Sequence, residues 1–486
     1  MQRSFLLNLA LLLVLNLLVK PFYILGIDAG VQDAVGSATY GTYAALLSLS
    51  FLLNIVLDLG MTNRNARHIA QHTHLLGKTV DGLLGARLVL VGLYAVLTLV
   101  VALVLGYQGV EVGLLGWLIV NQALVATILY FRSNIAGAQR YKQDSLLSVL
   151  DRVLLIGLVG WALWGRADGA PFRIEWFVWA QTAAYAVTAL VAFAFVRRLA
   201  GGVRPRWQPA FAWVTVRQSF PYALLVLLMT FYYRTDTVML ERMLPDGPTE
   251  AGIYAQAFRF FEAFNMLGFL MAGLLLPMFS RLLASTDRSG IPPLVALAMR
   301  LVLTGTVAVA VFGIMHAQFI MDLRYSEFTT RSAPVFALLI GCFVAVCTTY
   351  VFGTLLTAGG DLRRLNMMAA GGAVLNIGLN WFLIPRMQAE GAAWASLITQ
   401  VLTAVVQIVL VRQLHGVVLP VHIWVRTVLY AAGLVLALVG LAAAGLGPGT
   451  QLVFFAGAVL GLAFATGMIG RKVLYEAMEF RVPPKV

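Results

Sequence analysis

Three cations in this sequence stand where a charge needs a reason. Lys20, Arg234 and Arg259 each lie about eight or more residues inside a long apolar run, which at ~1.5 Å per helical residue puts the charge more than about 10 Å from the nearer end. A basic side chain that deep costs ~2.5–3.5 kcal/mol on insertion scales, so each implies a counter-charge or an anionic passenger. Phosphate is the group these side chains suit. Arginine's planar fork donates two parallel hydrogen bonds to it, and lysine supplies a more mobile point charge. A second reading stands beside the first: Arg259 and Glu262 are at i, i+3 and Arg234 and Glu241 are one heptad apart, so each arginine could be neutralised on its own helix. Arg152, beside Asp151, and Arg300, about two turns into its apolar run, are placed to line the cytoplasmic half of a cavity between such helices. Arg87, Arg217, Arg242 and Arg426 lie within a turn or two of predicted span ends, where long side chains snorkel to the headgroups.

Asp58, Asp151, Asp236 and Glu262 are the acids through which a proton or sodium ion could be coupled. A salt bridge or a helix cap is the favoured role for them. Asn376 and Asn380 share a helix face and are placed either to bond sugar hydroxyls or to hold helices together. Gly371, Gly372 and Gly378 favour the second role. His68, His72 and His74 have a metal-like spacing but no supporting cysteine or nearby acid, so no metal is expected. Cys342 and Cys347, five apart in one apolar run, fit packing. No nucleophile–base pair and no phosphate-cradling glycine loop is present, which argues against an enzyme.

The elements that must position these groups follow from composition. The 486 residues are 60% hydrophobic and 11% charged with a mean hydropathy of +0.87, far from a soluble protein. Apolar runs long enough to cross a ~30 Å hydrocarbon core recur from end to end. The spans predicted are approximately 4–27, 40–60, 82–106, 113–136, 144–164, 175–196, 217–243, 251–280, 292–321, 333–358, 365–384, 390–411, 421–445 and 451–470. Arg3 followed by the run from Phe5 to Val19 resembles a signal peptide, but no small-residue cleavage site follows, so it is kept as span 1. Assigning alternate loops to alternate sides gathers about 20 basic residues on one side and leaves about 5, Arg166, Arg173, Arg324, Arg331 and Arg386, on the other. That orients both termini to the cytoplasm. The net charge of +13 is therefore topology, and its scatter over short loops excludes nucleic acid as a partner.

The stretch from Arg197 to Arg217, with Trp207, Phe211 and Trp213 among its arginines, reads as an interfacial linker. Tyr40-Gly41-Thr42-Tyr43-Ala44 opens span 2, and Ala251-Gly252-Ile253-Tyr254-Ala255 opens span 8, 211 residues later. The expected organisation is all-α and polytopic: an N-terminal six-helix lobe over 1–198, the linker 199–216, a C-terminal six-helix lobe over 217–413, and spans 13 and 14 with a cytoplasmic tail over 414–486. Pro21 and Pro277 interrupt long spans and suit helices that bend.

The sequence resembles the Wzx-type polysaccharide flippases of the multidrug/oligosaccharidyl-lipid/polysaccharide exporter superfamily over essentially its whole length. The carriers are Tyr40-Gly41-Thr42-Tyr43, Leu57-Asp58-Leu59-Gly60, Asp236, and Gly252-Ile253-Tyr254-Ala255 running on to Leu276-Pro277-Met278-Phe279-Ser280-Arg281. Ala358-Gly359-Gly360-Asp361, Asn376-Ile377-Gly378-Leu379-Asn380, Leu383-Ile384-Pro385 and Glu390-Gly391-Ala392-Ala393 complete them. The resemblance implies a MATE-like pair of bundles around a central cavity, alternating access and no cofactor. It further implies a flippase that moves a polyprenyl-pyrophosphate-linked oligosaccharide across the bacterial inner membrane for surface polysaccharide such as O-antigen, with membrane lipid and polysaccharide polymerase machinery as partners. Where antiporters for cationic drugs would carry cavity acids, this chain has Lys20, which favours an anionic substrate. A peptidoglycan lipid II flippase and a drug or cation antiporter are the alternatives. A membrane glycan polymerase or ligase is disfavoured, because no outer loop exceeds about a dozen residues on this span assignment.

Overall fold

The computed structural model describes residues 15–62, 65, 69, 76–166, 170–203 and 209–470. Arg3, Arg64, Arg67, the group His68, His72 and His74, the linker residues Arg204, Arg206 and Trp207, and the basic tail from Arg471 lie outside the described residues. Among the described residues every regular element is helical, as hydrocarbon requires of backbone that must satisfy each N–H and C=O within its own segment. In chain order the helices are α1 (15–35), α2 (Ser37–Leu52), α3 (Leu76–Val104), α4 (Val110–Gly137), α5 (Tyr141–Gly160), α6 (Ile174–Ala200) and α7 (Pro209–Met243). They continue with α8 (Gly247–Ala284), α9 (Ile291–Met315), α10 (Ala317–Arg324), α11 (Thr329–Gly359), α12 (Leu362–His415), α13 (Val421–Ala443) and α14 (Pro448–Ala465). Among the described residues, 11 helices are long and apolar enough to cross a membrane. One of them, α12, contains two spans, because Gln388 at φ 55 and ψ −132 breaks it where the sequence places an outer loop. With α1 and the 16-residue α2 added, the all-α, polytopic reading of the sequence holds.

Two expected spans are not the plain helices that hydropathy suggests. In α1 the stretch Tyr23–Asp28 winds as a π-helix, directly after Pro21, whose missing N–H weakens the ordinary ladder. In the second, α2 stops at Leu52 and passes through a 3-10 turn, Asn54–Leu57, where the expected helix ran on to 60. Beyond that turn Gly60 takes φ 79, and a Cβ there would lie 2.9 Å from Ser219 Cβ. The interfacial linker also differs in form, since the chain is already wound into α7 from Pro209, a residue suited to a helix's first turn. Pro277, by contrast, sits inside the 38-residue α8 without ending it.

The described part of Met1–Ala255 forms one compact unit with Asn380–Ala389, and the described part of Gln256–Leu379 and Glu390–Val486 forms a second. In the first, α4 packs along α6, and α2 lies against α4 and α7. Tyr40, Tyr43, Tyr94, Tyr107, Tyr130 and Phe177 are buried whole. The tyrosine hydroxyls act as helix ties: Tyr94 donates to the Ser50 carbonyl at 2.9 Å and Tyr130 to that of Val80 at 3.2 Å, bonds that hold helices together where lipid offers no hydrophobic drive. In the second unit α9 packs along α11, and α13 packs on α9 and α14. Phe336, Phe343 and Phe352 fill its core. Cys342 and Cys347 are free and buried there, as packing residues are. Large apolar side chains face outward in both, among them Leu88, Val96 and Val104 in α3, the surface a lipid solvent selects.

The tightest crossing lies in the first unit, between the two copies of the repeated motif. A Cβ on Gly41 of α2 would fall 1.8 Å from the Pro248 carbonyl oxygen, and a Cβ on Gly252 of α8 would fall 2.0 Å from that of Ser37. Pro248 and Ser37 each stand four residues before the opposite glycine. The crossing is therefore locally two-fold, and Gln32 ties it by donating to the Gly252 carbonyl at 2.7 Å.

Gly41→Ala is expected to destabilise the protein by about 1–3 kcal/mol, because the new methyl meets backbone that cannot yield. Gly92→Ala, which meets open space, should be neutral or stabilising by up to ~1 kcal/mol. Thermal midpoints in detergent check the pair, and equal shifts would contradict the close crossing.

Candidate functional site

The first unit gathers its charges around α1, α4, α5 and α6. Arg152 on α5 donates from Nη1 to the Tyr185 hydroxyl at 2.8 Å. Its guanidinium carbon lies 4.7 Å from the centroid of the Tyr23 ring and 5.7 Å from that of Tyr185, a box in which cation–π attraction offsets lost hydration. Asp151 is its carboxylate neighbour at 3.6 Å. Lys20, half-buried one turn before Tyr23, feels the charges of Arg152, Arg132 and Asp151, and it has no ion-pair partner among the described residues. Arg132 is already bound by Asp144 at 2.7 Å. Three cations thus share two carboxylates, and the surplus sits on Lys20 and Arg152.

Arg87, Arg242 and Arg234 of this unit each have a partner within it. Arg87 on α3 is buried, ion-paired to Asp58, donates to the Ala126 carbonyl at 3.0 Å and lies over the Tyr130 ring. The expectation that Arg87 snorkels is corrected: the helix end it approaches is packed by α2 and α4 side chains, so the ion pair is its lower-energy partner. Asp58 also accepts from the backbone N–H of Thr62 at 3.1 Å. Arg242 does not snorkel freely either. It pairs with Glu241 at 2.6 Å and Glu111 at 3.3 Å and covers the Tyr107 ring at 3.5 Å. Glu241, which also accepts from the Tyr107 hydroxyl at 2.8 Å, is therefore spent on these groups and not on Arg234. Arg234 instead places its guanidinium 4.6 Å from the centroid of the Phe51 ring.

Two buried carboxylates flank the glycine crossing. Tyr40 donates to Asp28 at 2.7 Å. Tyr254 donates to Asp236 at 2.8 Å and Asn380 to the other oxygen of Asp236 at 2.6 Å. Asn380 thus ties α12 to α7, while Asn376 is buried in the second unit. Glu250 accepts from the Ala389 N–H at 3.2 Å. Asp28 escapes a reading by hydropathy because it lies one residue beyond the predicted end of span 1. Its spacing of four from Gln32, on the same helix face, is the signal that could have found it.

In the second unit Arg259 is buried and pairs with Glu262 at 2.7 Å within α8, the one-turn neutralisation that the i, i+3 spacing allows. Arg300 on α9 donates toward His422 of α13 at 3.2 Å. Among the described residues, no group of three or more His, Cys, Asp or Glu side chains is placed to hold a metal.

A family model described as polysaccharide biosynthesis protein matches residues 7–283. Among solved structures the chain is similar to the lipid II flippase MurJ in an inward closed conformation, with a TM-score of 0.71 at 12% identity over 97% of this chain and 99% of that one. It is similar to the MATE transporter VcmN of Vibrio cholerae, with a TM-score of 0.58 at 16% identity over 84% and 96% of the two chains. A transporter of the MOP superfamily from Pyrococcus furiosus, described by the reverse polarity of its binding pocket, gives 0.57 at 14% over 84% and 93%. At such identities the likeness is one of fold, and the fold is MATE-like. No curated protein is similar to the chain at the level of sequence.

A cation without a counter-charge is a cost to the folded protein. Lys20→Gln should therefore leave the thermal midpoint unchanged or raise it, with correctly inserted protein in the membrane. A clear fall in the midpoint would contradict the charge surplus at Lys20.

Proposed function

The chain belongs to the polysaccharide biosynthesis protein family, and on that premise we propose that it flips a polyprenyl-pyrophosphate-linked oligosaccharide from the cytoplasmic to the outer leaflet of the bacterial inner membrane, for a surface polysaccharide such as O-antigen. The observation that carries this reading is the surplus positive charge at Lys20 and Arg152. The polyprenyl tail can stay in lipid throughout, so the barrier to flipping is the charged, hydrated head. Cations held inside the protein replace the water that the pyrophosphate gives up, and the anion in turn supplies the counter-charge that Lys20 lacks. Arg152 meets it with a fork fixed between two tyrosine rings, Lys20 with a mobile ammonium.

Other cations take different parts. Arg259 enters balanced by Glu262, so it contributes hydrogen bonds more than net charge. Arg234 and Arg300 extend the path, and Asn376 offers an amide to sugar hydroxyls. The lobes 1–198 and 217–413, joined by 199–216, alternate access to the two sides, with both termini in the cytoplasm and 414–486 appended. Asp58, Asp151, Asp236 and Glu262 each have a partner within the fold, which supports the membrane potential as the drive: outward movement of each negative charge gains ~2.3 kcal/mol per 100 mV. No covalent bond need be made or broken, so the role is transport and not catalysis. Polymerase machinery in the same membrane is the natural consumer of the flipped glycan.

A second reading, lipid II as cargo, is favoured by one observation. The likeness to MurJ extends over 97% of the chain, where the likeness to the MATE transporter covers 84%. Lipid II would present its pyrophosphate to the same cations.

Liposomes reconstituted with the protein decide among these. Wild type is expected to move a fluorescent polyprenyl-pyrophosphate oligosaccharide between leaflets. Lys20→Ala should lower the rate about tenfold or more, for loss of one internal cation contact of ~1.4 kcal/mol or above, and Arg259→Ala should lower it less. Preference for lipid II over the oligosaccharide lipid would select the second reading. Movement of cationic dyes alone, or of nothing, would refute both.

A further inference from the structure

The second unit carries a basic cluster, with Arg300 at its centre, that lies apart from the Lys20 and Arg152 site of the first unit. Helices α9, α13 and α14 pack on one another, and their 25, 23 and 18 residues include no aspartate or glutamate. Their charged residues are Arg300 on α9 and Arg426 on α13. His422, Arg426 and Tyr430 follow at i, i+4 and i+8, and so share one face of α13. On that face Arg300 Nη2 approaches His422 Nε2 at 3.2 Å, and Arg426 donates from Nη1 to the Gly467 carbonyl at 3.1 Å. One turn deeper the seam is shut, where Tyr430 donates to the Thr304 carbonyl at 3.2 Å.

Three features of this cluster point to a ligand. Arg300 and Arg426 have no carboxylate partner among the described residues, and Arg300 Nε is buried without a hydrogen-bond acceptor there. The contact to His422, the second residue of α13, sets Arg300 level with the first turn of that helix, beside the half-exposed Trp424. That is headgroup depth, the place where interfacial tryptophan collects. Around it the surface is apolar and outward-facing, with Val421, Val425, Val428 and Leu429 each more than half exposed.

We propose that the seam between α9 and α13 is a binding site for the phosphate of an anionic phospholipid, with Arg300, His422 and Arg426 as its headgroup contacts and the valine face of α13 as the bed for an acyl chain. A single molecule of this kind meets both demands of the surface, supplying the missing negative charge and covering the apolar ridge. A zwitterionic lipid covers the ridge but brings its own cation to a place that already holds several. A free phosphate ion supplies the charge but leaves the ridge bare.

The test is native mass spectrometry of the full chain released from micelles containing equal amounts of phosphatidylglycerol and phosphatidylethanolamine. Wild type is expected to retain phosphatidylglycerol over phosphatidylethanolamine by about tenfold or more, since each basic residue near a headgroup is worth roughly one kcal/mol. Arg300→Gln with Arg426→Gln should abolish the preference, and Arg300→Lys with Arg426→Lys should keep most of it. His422→Asp, at an exposed position where folding is not at stake, provides an internal anion and should also expel the lipid. No preference in wild type, or a preference that survives the glutamine pair or His422→Asp, would overturn the proposal. So would displacement of phosphatidylglycerol by an equal amount of polyprenyl phosphate, which would give the seam to the cargo. Inorganic phosphate should not displace it, and displacement by the free ion would remove the lipid assignment.

Discussion

An ionised side chain inside a membrane helix must have its charge answered, and the packing of this protein is largely a set of such answers. Arg87 has Asp58, Arg132 has Asp144, Arg259 has Glu262, and Arg242 has Glu241 and Glu111. Tyrosine rings and hydroxyls complete several of these pairs, over Arg87, Arg152 and Arg242. Lys20 departs from the pattern. Lys20 has a second cation, Arg152, for a neighbour, and on the proposed function that surplus is kept for an anion that comes and goes, because a permanent partner would close the path.

The glycine crossing imposes the complementary constraint. Backbones can approach as α2 and α8 do only where both Cβ positions are empty, and the approach brings Asp28, Gln32, Tyr40, Asp236, Tyr254 and Asn380 into one hydrogen-bonded zone. Each bond there joins neutral donors to a carboxylate or a carbonyl. Hydrogen bonds to a charged acceptor are worth about 1.5–3 kcal/mol each, so this zone fixes how closely the two motifs pack.

The sequence made the architecture legible because hydropathy and the basic-loop asymmetry report the membrane directly. The number of spans, the repeat at Gly41 and Gly252, and the fold class all follow from those signals. Side-chain partners were less legible, for physical reasons. The close approach of Gly60 to Ser219 joins positions more than 150 residues apart. Arg87 read as a snorkelling residue because its distance to a helix end is local, whereas its bond to Asp58 spans 29 positions. Glu241 is one heptad from Arg234 but turns toward Tyr107, 134 positions away. The i, i+3 pair of Arg259 and Glu262 could be read, since one turn of helix decides it. Lys20 stood out in sequence by depth alone, while its want of a carboxylate needed the positions of Asp144 and Asp151 to be recognised.

The most direct test of the central claim is an experimental structure, by electron cryo-microscopy, of the protein bound to a polyprenyl-pyrophosphate disaccharide. The account predicts pyrophosphate oxygens within hydrogen-bonding distance of Lys20 Nζ and the Arg152 guanidinium, with Tyr23 and Tyr185 still flanking the arginine. Pyrophosphate bound elsewhere, with Lys20 paired to a carboxylate of the protein, would contradict it.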